Sequence, residues 1–269
     1  MAIAVCLINQ KGGCGKSSTS FHLAGAWAAA GIRVLLLYLD PLGSMSQGFF
    51  GSQLVEDLQR SETIATLFDD TAFAPSASQL IRETRFTGVS VVPANQHLAR
   101  FNTPNPEQTG MMQYALRTFV RELSGFDLVM MDCPPNLFRC CWNCLVAADA
   151  VVIPVPPEDF GTQGLRAVHQ AVECASILNP SLQHMSHLIT RYDRRLLIHR
   201  SYAERLRQVY PDSVLSTAIP EACAFKVSLA RRSPVEFDAP KSTAAVLTRQ
   251  LSHEILDLIS NKTAKVRVA

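Results

Sequence analysis

No uninterrupted apolar run in this chain approaches the roughly 20 residues that a membrane-crossing helix needs. The apolar segment at the N-terminus has no basic flank before it, so it does not read as a secretory signal. Together these absences predict a cytoplasmic protein. Charge is scarce as well: charged residues make up 18% of the 269 positions and hydrophobic residues 48%. That balance excludes an intrinsically disordered chain and supplies a sizeable core. No internal repeat, low-complexity linker or compositional break divides the sequence. It therefore reads as one domain over residues 1–260, followed by a flexible tail, 261–269.

Cysteine is plentiful, but the pattern of a metal centre is incomplete. Eight cysteines without a secretion signal are expected to be reduced thiols rather than a disulfide framework. Cys141 and Cys144 have C-x-x-C spacing, yet a zinc or iron–sulfur site normally draws on a second matching cluster, and only Cys133 lies nearby. Cys140, Cys141 and Cys144 fall in an apolar stretch that reads as helix, Leu137 to Ala148, so they are expected to be buried as small hydrophobes.

The formal net charge of +2 hides an asymmetry. Residues 1–150 carry 10 basic and 12 acidic side chains, and residues 151–269 carry 15 and 11. Between Arg191 and Arg232 there are nine basic and four acidic residues, a local excess able to attract a polyanion. A solvated arginine-rich face is the simpler reading of composition alone.

What is present is a regular alternation. Buried strands are expected at Ala2–Ile8, Val34–Leu39, Val89–Pro93, Asp127–Met131, Ala150–Val155, Met185–Thr190 and Ser213–Ala218. Helices are expected at Ser17–Ala30, Ser61–Phe68, Glu107–Leu123, Gly164–Leu178, Arg200–Val209 and from Ser242 to about Ile259. Apolar strands interleaved with helices predict an α/β fold, a mostly parallel twisted sheet with helices on both faces.

The strongest chemical signal is Lys11-Gly12-Gly13-Cys14-Gly15-Lys16-Ser17, between the first strand and the first helix. A phosphate chain needs many donors at close range. Glycines let backbone N–H groups curl round it, the following helix aims its positive end at it, and a lysine neutralises the outer oxygens. The Ser17 hydroxyl is placed to coordinate a Mg²⁺ ion on those phosphates. The usual P-loop has glycine where Gln10 stands, so this is a variant with a second lysine, Lys11, inside the loop.

These residues carry a family resemblance. Asn9 to Ser18 (NQKGGCGKSS) resembles the deviant Walker A of the ParA/MinD superfamily of P-loop NTPases. Val34–Gly43 (VLLLYLDPLG) resembles its switch I segment, and Leu128–Pro135 (LVMMDCPP) its Walker B and switch II segment. Residues 148–164 and the stretch Tyr192-Asp193-Arg194-Arg195 match the ParA side, closest to small ParA proteins that begin at the P-loop strand without a helix-turn-helix domain.

The resemblance implies ATP and Mg²⁺ as cofactors. Gly12, Gly13, Cys14, Gly15, Lys16, Ser17, Ser18 and Pro220 would bind ATP. Lys11 would be the signature lysine that reaches across a homodimer to the partner's ATP, and Lys16 would contact the outer phosphates. Ser17 would bind Mg²⁺ directly and Asp132 through water, while Asp40 would orient the attacking water. Each acid has a plainer alternative: Asp40 precedes Pro41 and can form a turn, and Asp132 can end a strand. Three positions depart from the family pattern: Tyr38 where an acid is common, Leu42 where glutamine is common, and Cys14 where valine is common. Tyr38 removes a carboxylate near the metal, which makes ATP binding a firmer inference than turnover.

The implied activity is slow, partner- and DNA-stimulated ATP hydrolysis in the service of positioning a plasmid, chromosome or protein cargo. Arg194, Arg195, Lys226, Arg231 and Arg232 would contact double-stranded DNA without sequence preference, since nothing resembles a base-reading motif. A ParB-like activator, nucleoid association and no stable membrane association complete that expectation. Three other readings stand beside it. A MinD-like membrane-surface ATPase would use the stripe Leu251, Ile255, Leu258 and Ile259. An iron–sulfur carrier would need cluster cysteines in a context not found at Cys133 or Cys141. A nucleotide-gated interaction module with little hydrolysis is suggested by Tyr38.

Overall fold

A computed structural model describes residues 2–71, 76–157, 162–182 and 184–266. Its strands are β1 (Ile3–Leu7), β2 (Val34–Tyr38), β3 (Arg82–Glu83), β4 (Val89–Val92), β5 (Leu128–Asp132), β6 (Ala150–Val155) and β7 (His184–Ile189). They form one sheet in the order β3-β4-β2-β5-β1-β6-β7, parallel throughout except for the short antiparallel edge β3. The interior strands are apolar at nearly every position because helices cover both faces.

The helices are α1 (Lys16–Ala29), α2 (Ser44–Phe50), α3 (Ser52–Asp57), α4 (Ala77–Leu80), α5 (Ala115–Glu122), α6 (Arg139–Ala147) and α7 (Thr162–Leu178). They continue with α8 (Leu197–Val209), α9 (Cys223–Ala230), α10 (Val235–Asp238) and α11 (Thr243–Val266). The expected α/β architecture is therefore the observed one.

Three elements differ from expectation. Residues 213–218 form no strand: Val214 makes a single bridge to His187, so the sheet ends at β7. Ser61–Phe68 is two short 3₁₀ segments, and the helix expected from Glu107 begins as a 3₁₀ stretch broken at Gly110 (φ 56°, ψ −132°) before α5 starts. Helices α2, α3, α4, α9 and α10 are additional; each is eight residues or shorter, too brief to show a helical period. The last helix runs to Val266, past the expected start of the tail; residues 267–269 and the side chains from 261 lie outside the described residues.

Helix α1 is the hub of the packing. Trp27 is fully buried and donates its indole N–H to the Ser252 carbonyl at 3.2 Å, fixing α11 against α1. Truncating such a ring costs about 3–5 kcal/mol. Gly25 in mid-helix is explained by close approach: a Cβ there would lie 2.3 Å from Pro234 Cβ. Leu251, Ile255 and Ile259 of α11 are buried, so three of the four stripe residues are spent on this interior. Among the described residues no helix is long and apolar enough to cross a membrane.

Two buried histidines make the fold acid-sensitive. His22 Nδ1 accepts the Val235 N–H at 3.0 Å, and burial pulls the ring down to about 3. His187 Nδ1 donates to the Ser213 carbonyl at 3.0 Å, which leaves its Nε2 to accept from His169 Nε2 at 2.9 Å; burial lowers it to about 4. Both values lie below the unfolded 6.5, so the unfolded chain takes up these protons first. Their contribution is complete above pH 6.5 and is lost as pH falls towards the folded values. The buried carboxyl of Asp132 titrates in the opposite sense, so the histidine part is read as a difference between proteins. On going from pH 7 to pH 5, His22→Gln is expected to lose about 2 kcal/mol less than the unmodified chain in urea denaturation. Equal losses would mean that His22 is not buried as the neutral ring.

Candidate functional site

The strand order sets the place of the site. β1 sits between β5 and β6, and the chain leaves its C-terminal end at the point where successive strands depart to opposite sides. The register puts Leu7 beside Asp132, and Asp132 beside Tyr38. The loop after β1, the end of β5 and the turn after β2 thus open on one edge, with neighbouring strands about 4.8 Å apart.

The loop of residues 9–15 is held open by its own side chains. Asn9, buried, donates its amide to the Pro154 carbonyl (2.7 Å) and accepts the Lys11 N–H (2.9 Å), which turns the chain out of β1. Gly13 (φ 71°) and Gly15 (φ 93°) are left-handed, conformations that only glycine adopts without strain. Gly15 is the N-cap of α1 and offers no side-chain cap. Among the described residues, no backbone carbonyl takes the N–H groups of Gly13, Cys14, Gly15, Lys16 or Ser17, and that of Lys16 turns towards the Cys14 sulfur. A ring of free donors at the positive end of a 14-residue helix is an anion cradle.

Lys16 is only 6% exposed and donates to the carbonyls of Asn9 (3.0 Å) and Lys11 (3.1 Å). Its ammonium is therefore tethered across the cradle. Cys14 is buried, with its Sγ 3.8 Å from the Lys16 Nζ and its carbonyl accepting from Thr190 Oγ1 at 2.8 Å. Lys11 is exposed and lies in a cleft of about 540 Å³ together with Gln10, Pro156, Arg166, Tyr202 and Arg205. Gly12, Ser17 and Ser18 complete the loop and the first turn of α1. Pro220 lines a separate cleft of about 940 Å³ with Arg191, Arg194 and Glu221, one residue along from Thr190.

Asp132 is 2% exposed, and its Oδ1 has no hydrogen-bond partner. Burial raises its carboxyl to about 8; the neighbouring Ser17 hydroxyl and the charge of Lys16 pull the other way. A buried acid next to a serine hydroxyl, with an orphaned oxygen and too little positive charge, fits a divalent cation with oxygen ligands. Ser17 and Asp132 are the residues that would hold it.

Asp40 is half-buried, and its Oδ1 accepts the Leu42 N–H at 3.0 Å while its carbonyl accepts from Gly43 N. It thus forms the turn foreseen as its plainer alternative, at a place where the carboxylate also faces Asp132 closely enough to raise it. Leu42 is 74% exposed at the tip of that turn. Tyr38 is buried, and its hydroxyl makes no hydrogen bond; Ser20, already donating to the Ser17 carbonyl, approaches it without suitable geometry. Tyr38→Phe is therefore expected to leave stability unchanged or raise it by up to about 1 kcal/mol in urea denaturation. A loss above about 1 kcal/mol would mean that the hydroxyl has a partner.

Most of the five basic residues are tied to carboxylates or packed against the fold. Arg195 is clamped by Asp193 (2.7 Å), and Lys226 by Glu221 (2.6 Å), which also takes Arg191 (3.3 Å). Arg194 shares the Pro220 cleft with this group. Arg231 and Arg232 lie at the other end of α9: Arg231 pairs with Asp238 at 3.3 Å, and Arg232 packs over Gly51. Arg232 is left-handed (φ 53°) where a helix usually ends in glycine, and its carbonyl and that of Arg231 accept from Arg85. Sequence reasoning missed Arg85, Arg191, Glu221 and Thr190. The first is 146 residues from its partner, and only chain crossing brings it there.

A family profile described as an AAA domain matches residues 2–184. The chromosome partitioning protein ParA of Caulobacter vibrioides is 29% identical over 97% of this chain and 96% of its own length. The chromosome-partitioning ATPase Soj of Thermus thermophilus is 31% identical over 94% of each. Among solved structures, cobyrinic acid a,c-diamide synthase from Mycobacterium smegmatis, with bound ATP analogue and magnesium, superposes with a TM-score of 0.78 at 27% identity, covering 96% of this chain and 95% of that one. Profile, relatives and fold agree with the deviant P-loop: this chain belongs to the ParA/MinD superfamily of P-loop ATPases.

Proposed function

We propose that the chain is a Mg²⁺-dependent ATPase that forms a homodimer in its ATP state, holds DNA without sequence preference and positions or segregates a cargo. The observation that supports this most is the meeting, on one sheet edge, of free loop N–H groups, the tethered Lys16 and the orphaned Asp132 oxygen. Gly12, Gly13, Cys14, Gly15, Ser17 and Ser18 cradle the phosphates, and Pro220 is a further ATP contact. Magnesium, held by Ser17 and through water by Asp132, supplies charge neutralisation at the outer phosphates.

This chain's own residues do the rest. Lys16 exchanges its two carbonyl acceptors for phosphate oxygens at little desolvation cost, because it is already out of water. Lys11, exposed at the rim of its cleft, reaches the ATP of a second copy. Asp40 orients the attacking water from the turn after β2. Residues 1–260 constitute the ATPase domain. The expected setting is the nucleoid, with a ParB-like activator. A membrane-surface role finds less support, since Leu251, Ile255 and Ile259 of the required stripe are buried.

Arg194, Arg195, Lys226, Arg231 and Arg232 are the proposed DNA contacts. Three of them sit in exposed ion pairs, worth little in water, which phosphates can replace. Dimerisation doubles this set, and affinity for DNA climbs steeply with the number of contacts. Co-sedimentation with duplex DNA in ADP, ATP and a non-hydrolysable analogue, across a salt series, tests the reading. Retention only with triphosphate is expected. Replacing Arg194, Arg195, Arg231 and Arg232 by alanine should weaken retention at least about tenfold while sparing ATP binding. Undiminished DNA binding by that variant at low salt would reject the basic set.

A further inference from the structure

The fold gathers four of the eight cysteines from three separate elements. Cys6 lies in β1, Cys133 directly follows β5, and Cys141 and Cys144 stand three residues apart on α6. All four are fully buried and free of disulfides. Cys6 Sγ and Cys133 Sγ are 3.4 Å apart, and these two sulfurs and that of Cys144 all lie within 4.8 Å of one another. The Cys141 thiol stands beside this group, next to Cys133, and donates to the Pro134 carbonyl at 3.5 Å. The second half-site that the C-x-x-C of α6 lacked in sequence is thus supplied by β1 and by the end of β5.

Thiols that serve only as core filler gain nothing from touching one another, because a thiol is a weak donor and a weak acceptor. Three sulfurs within 4.8 Å of one another, brought from three elements, with a fourth beside them, have a different use. A zinc–thiolate bond of about 2.3 Å with tetrahedral angles sets sulfur–sulfur separations of about 3.8 Å, longer than the 3.4 Å between Cys6 and Cys133 and inside the 4.8 Å that bounds the group of Cys6, Cys133 and Cys144. The donors are all sulfur, which selects a soft cation and disfavours Mg²⁺, whose oxygen ligands are those at Asp132.

We propose that Cys6, Cys133 and Cys144, with Cys141 as fourth ligand, form a thiolate site for a soft d¹⁰ cation, Zn²⁺ or Cu⁺. Each ligating thiol gives up its proton to solvent as its sulfur–metal bond forms, and no oxidant takes part. The cation ties β1, the residue after Asp132 and α6 into one unit. It therefore clamps both ends of the segment of residues 133–139 that joins the proposed magnesium ligand to α6. Nothing in this site depends on the nucleotide reading.

The test uses the full chain, purified without oxygen in the presence of a reductant. Titration with Co²⁺ as a reporter for Zn²⁺ should give thiolate–cobalt charge-transfer bands saturating at about one equivalent and bleached by Zn²⁺. Competition against a Cu⁺ chelator forms the second arm and tells which cation is preferred. The preferred cation should raise the thermal midpoint. It should also protect Cys6, Cys133, Cys141 and Cys144, but not the exposed Cys174 and Cys223, from alkylation in partial denaturant. That protection is read on the unmodified chain and does not depend on a core variant folding. Cys144→Ala should weaken binding at least about tenfold, whereas Cys174→Ala should not change it. The proposal is overturned if the unmodified chain shows no charge-transfer band and no protection with either cation. It is equally overturned if Cys174→Ala or Cys223→Ala abolishes the signal, or if the chain takes no cation and is isolated with Cys6 joined to Cys133.

Discussion

Lys16→Gln is expected to lower ATP affinity by at least about 100-fold while leaving a folded protein. The lysine is buried in the cradle, and an ammonium contributes roughly 1.5–3 kcal/mol for each charge-assisted hydrogen bond to phosphate. Two such bonds correspond to the expected loss. Glutamine keeps an N–H donor for the Asn9 or Lys11 carbonyl, so the free protein should lose only about 1 kcal/mol in urea denaturation. Dimerisation and DNA retention with ATP should vanish together, because both follow from nucleotide binding. The measurement is titration with a fluorescent ATP analogue, followed by sedimentation with and without ATP. Affinity within threefold of the unmodified chain, or an ATP-dependent dimer that survives, would contradict the role given to the loop.

Asp40→Ala is expected to abolish turnover with ATP binding intact, leaving the dimer trapped on DNA. Orienting a water molecule for in-line attack is worth about 10²–10⁴-fold in rate. Asp40 already has a structural task, its Oδ1 accepting the Leu42 N–H, so loss of turnover in the alanine variant has two explanations. Asp40→Asn separates them. Asparagine forms the same turn, through a side-chain oxygen that accepts the same N–H, but it lacks the negative charge. If the carboxylate orients water, the asparagine variant should be as slow as the alanine one, with stability within about 0.5 kcal/mol of the unmodified protein. If Asp40 is only a turn former, Asp40→Asn should hydrolyse ATP normally and the assignment falls. Steady-state phosphate release with DNA present reads both variants.

The two variants bear on different steps. Lys16 acts on the ground state of the bound triphosphate, and Asp40 on its attack by water. A chain that binds ATP through Lys16 yet shows little turnover, with or without DNA and partner, would be the nucleotide-gated module suggested by Tyr38. Tyr38 itself is packed like a core residue, near Phe49 at 6.5 Å between ring centroids, with Asp132 as its register partner. Its ring fills the place beside Asp132 that an acid would otherwise occupy. That leaves Asp132 without a neighbouring carboxylate on β2, yet burial, with Cys133 and Asp40 adding to it, holds it near 8.

What was legible in the sequence was local in the chain. The P-loop spans ten consecutive residues whose glycines, lysines and serine act together, and a buried parallel strand announces itself as an apolar run. Order along the chain then fixed the α/β class. Residues 213–218 have the same apolar look as a strand, but whether they pair depends on a neighbour in space, and beyond β7 only one bridge forms. The basic residues from 194 to 232 were legible as a composition but not as side chains of which three are partly neutralised by their own carboxylates. The cysteines mark the boundary most clearly. Sequence spacing could judge Cys141 and Cys144 only against their chain neighbours, because a metal site is read from periodic spacing along one segment. Cys6 comes within 3.4 Å of Cys133 through the pairing of β1 with β5, 127 residues apart, and hydrogen bonding between strands leaves no trace in the residues that lie between them.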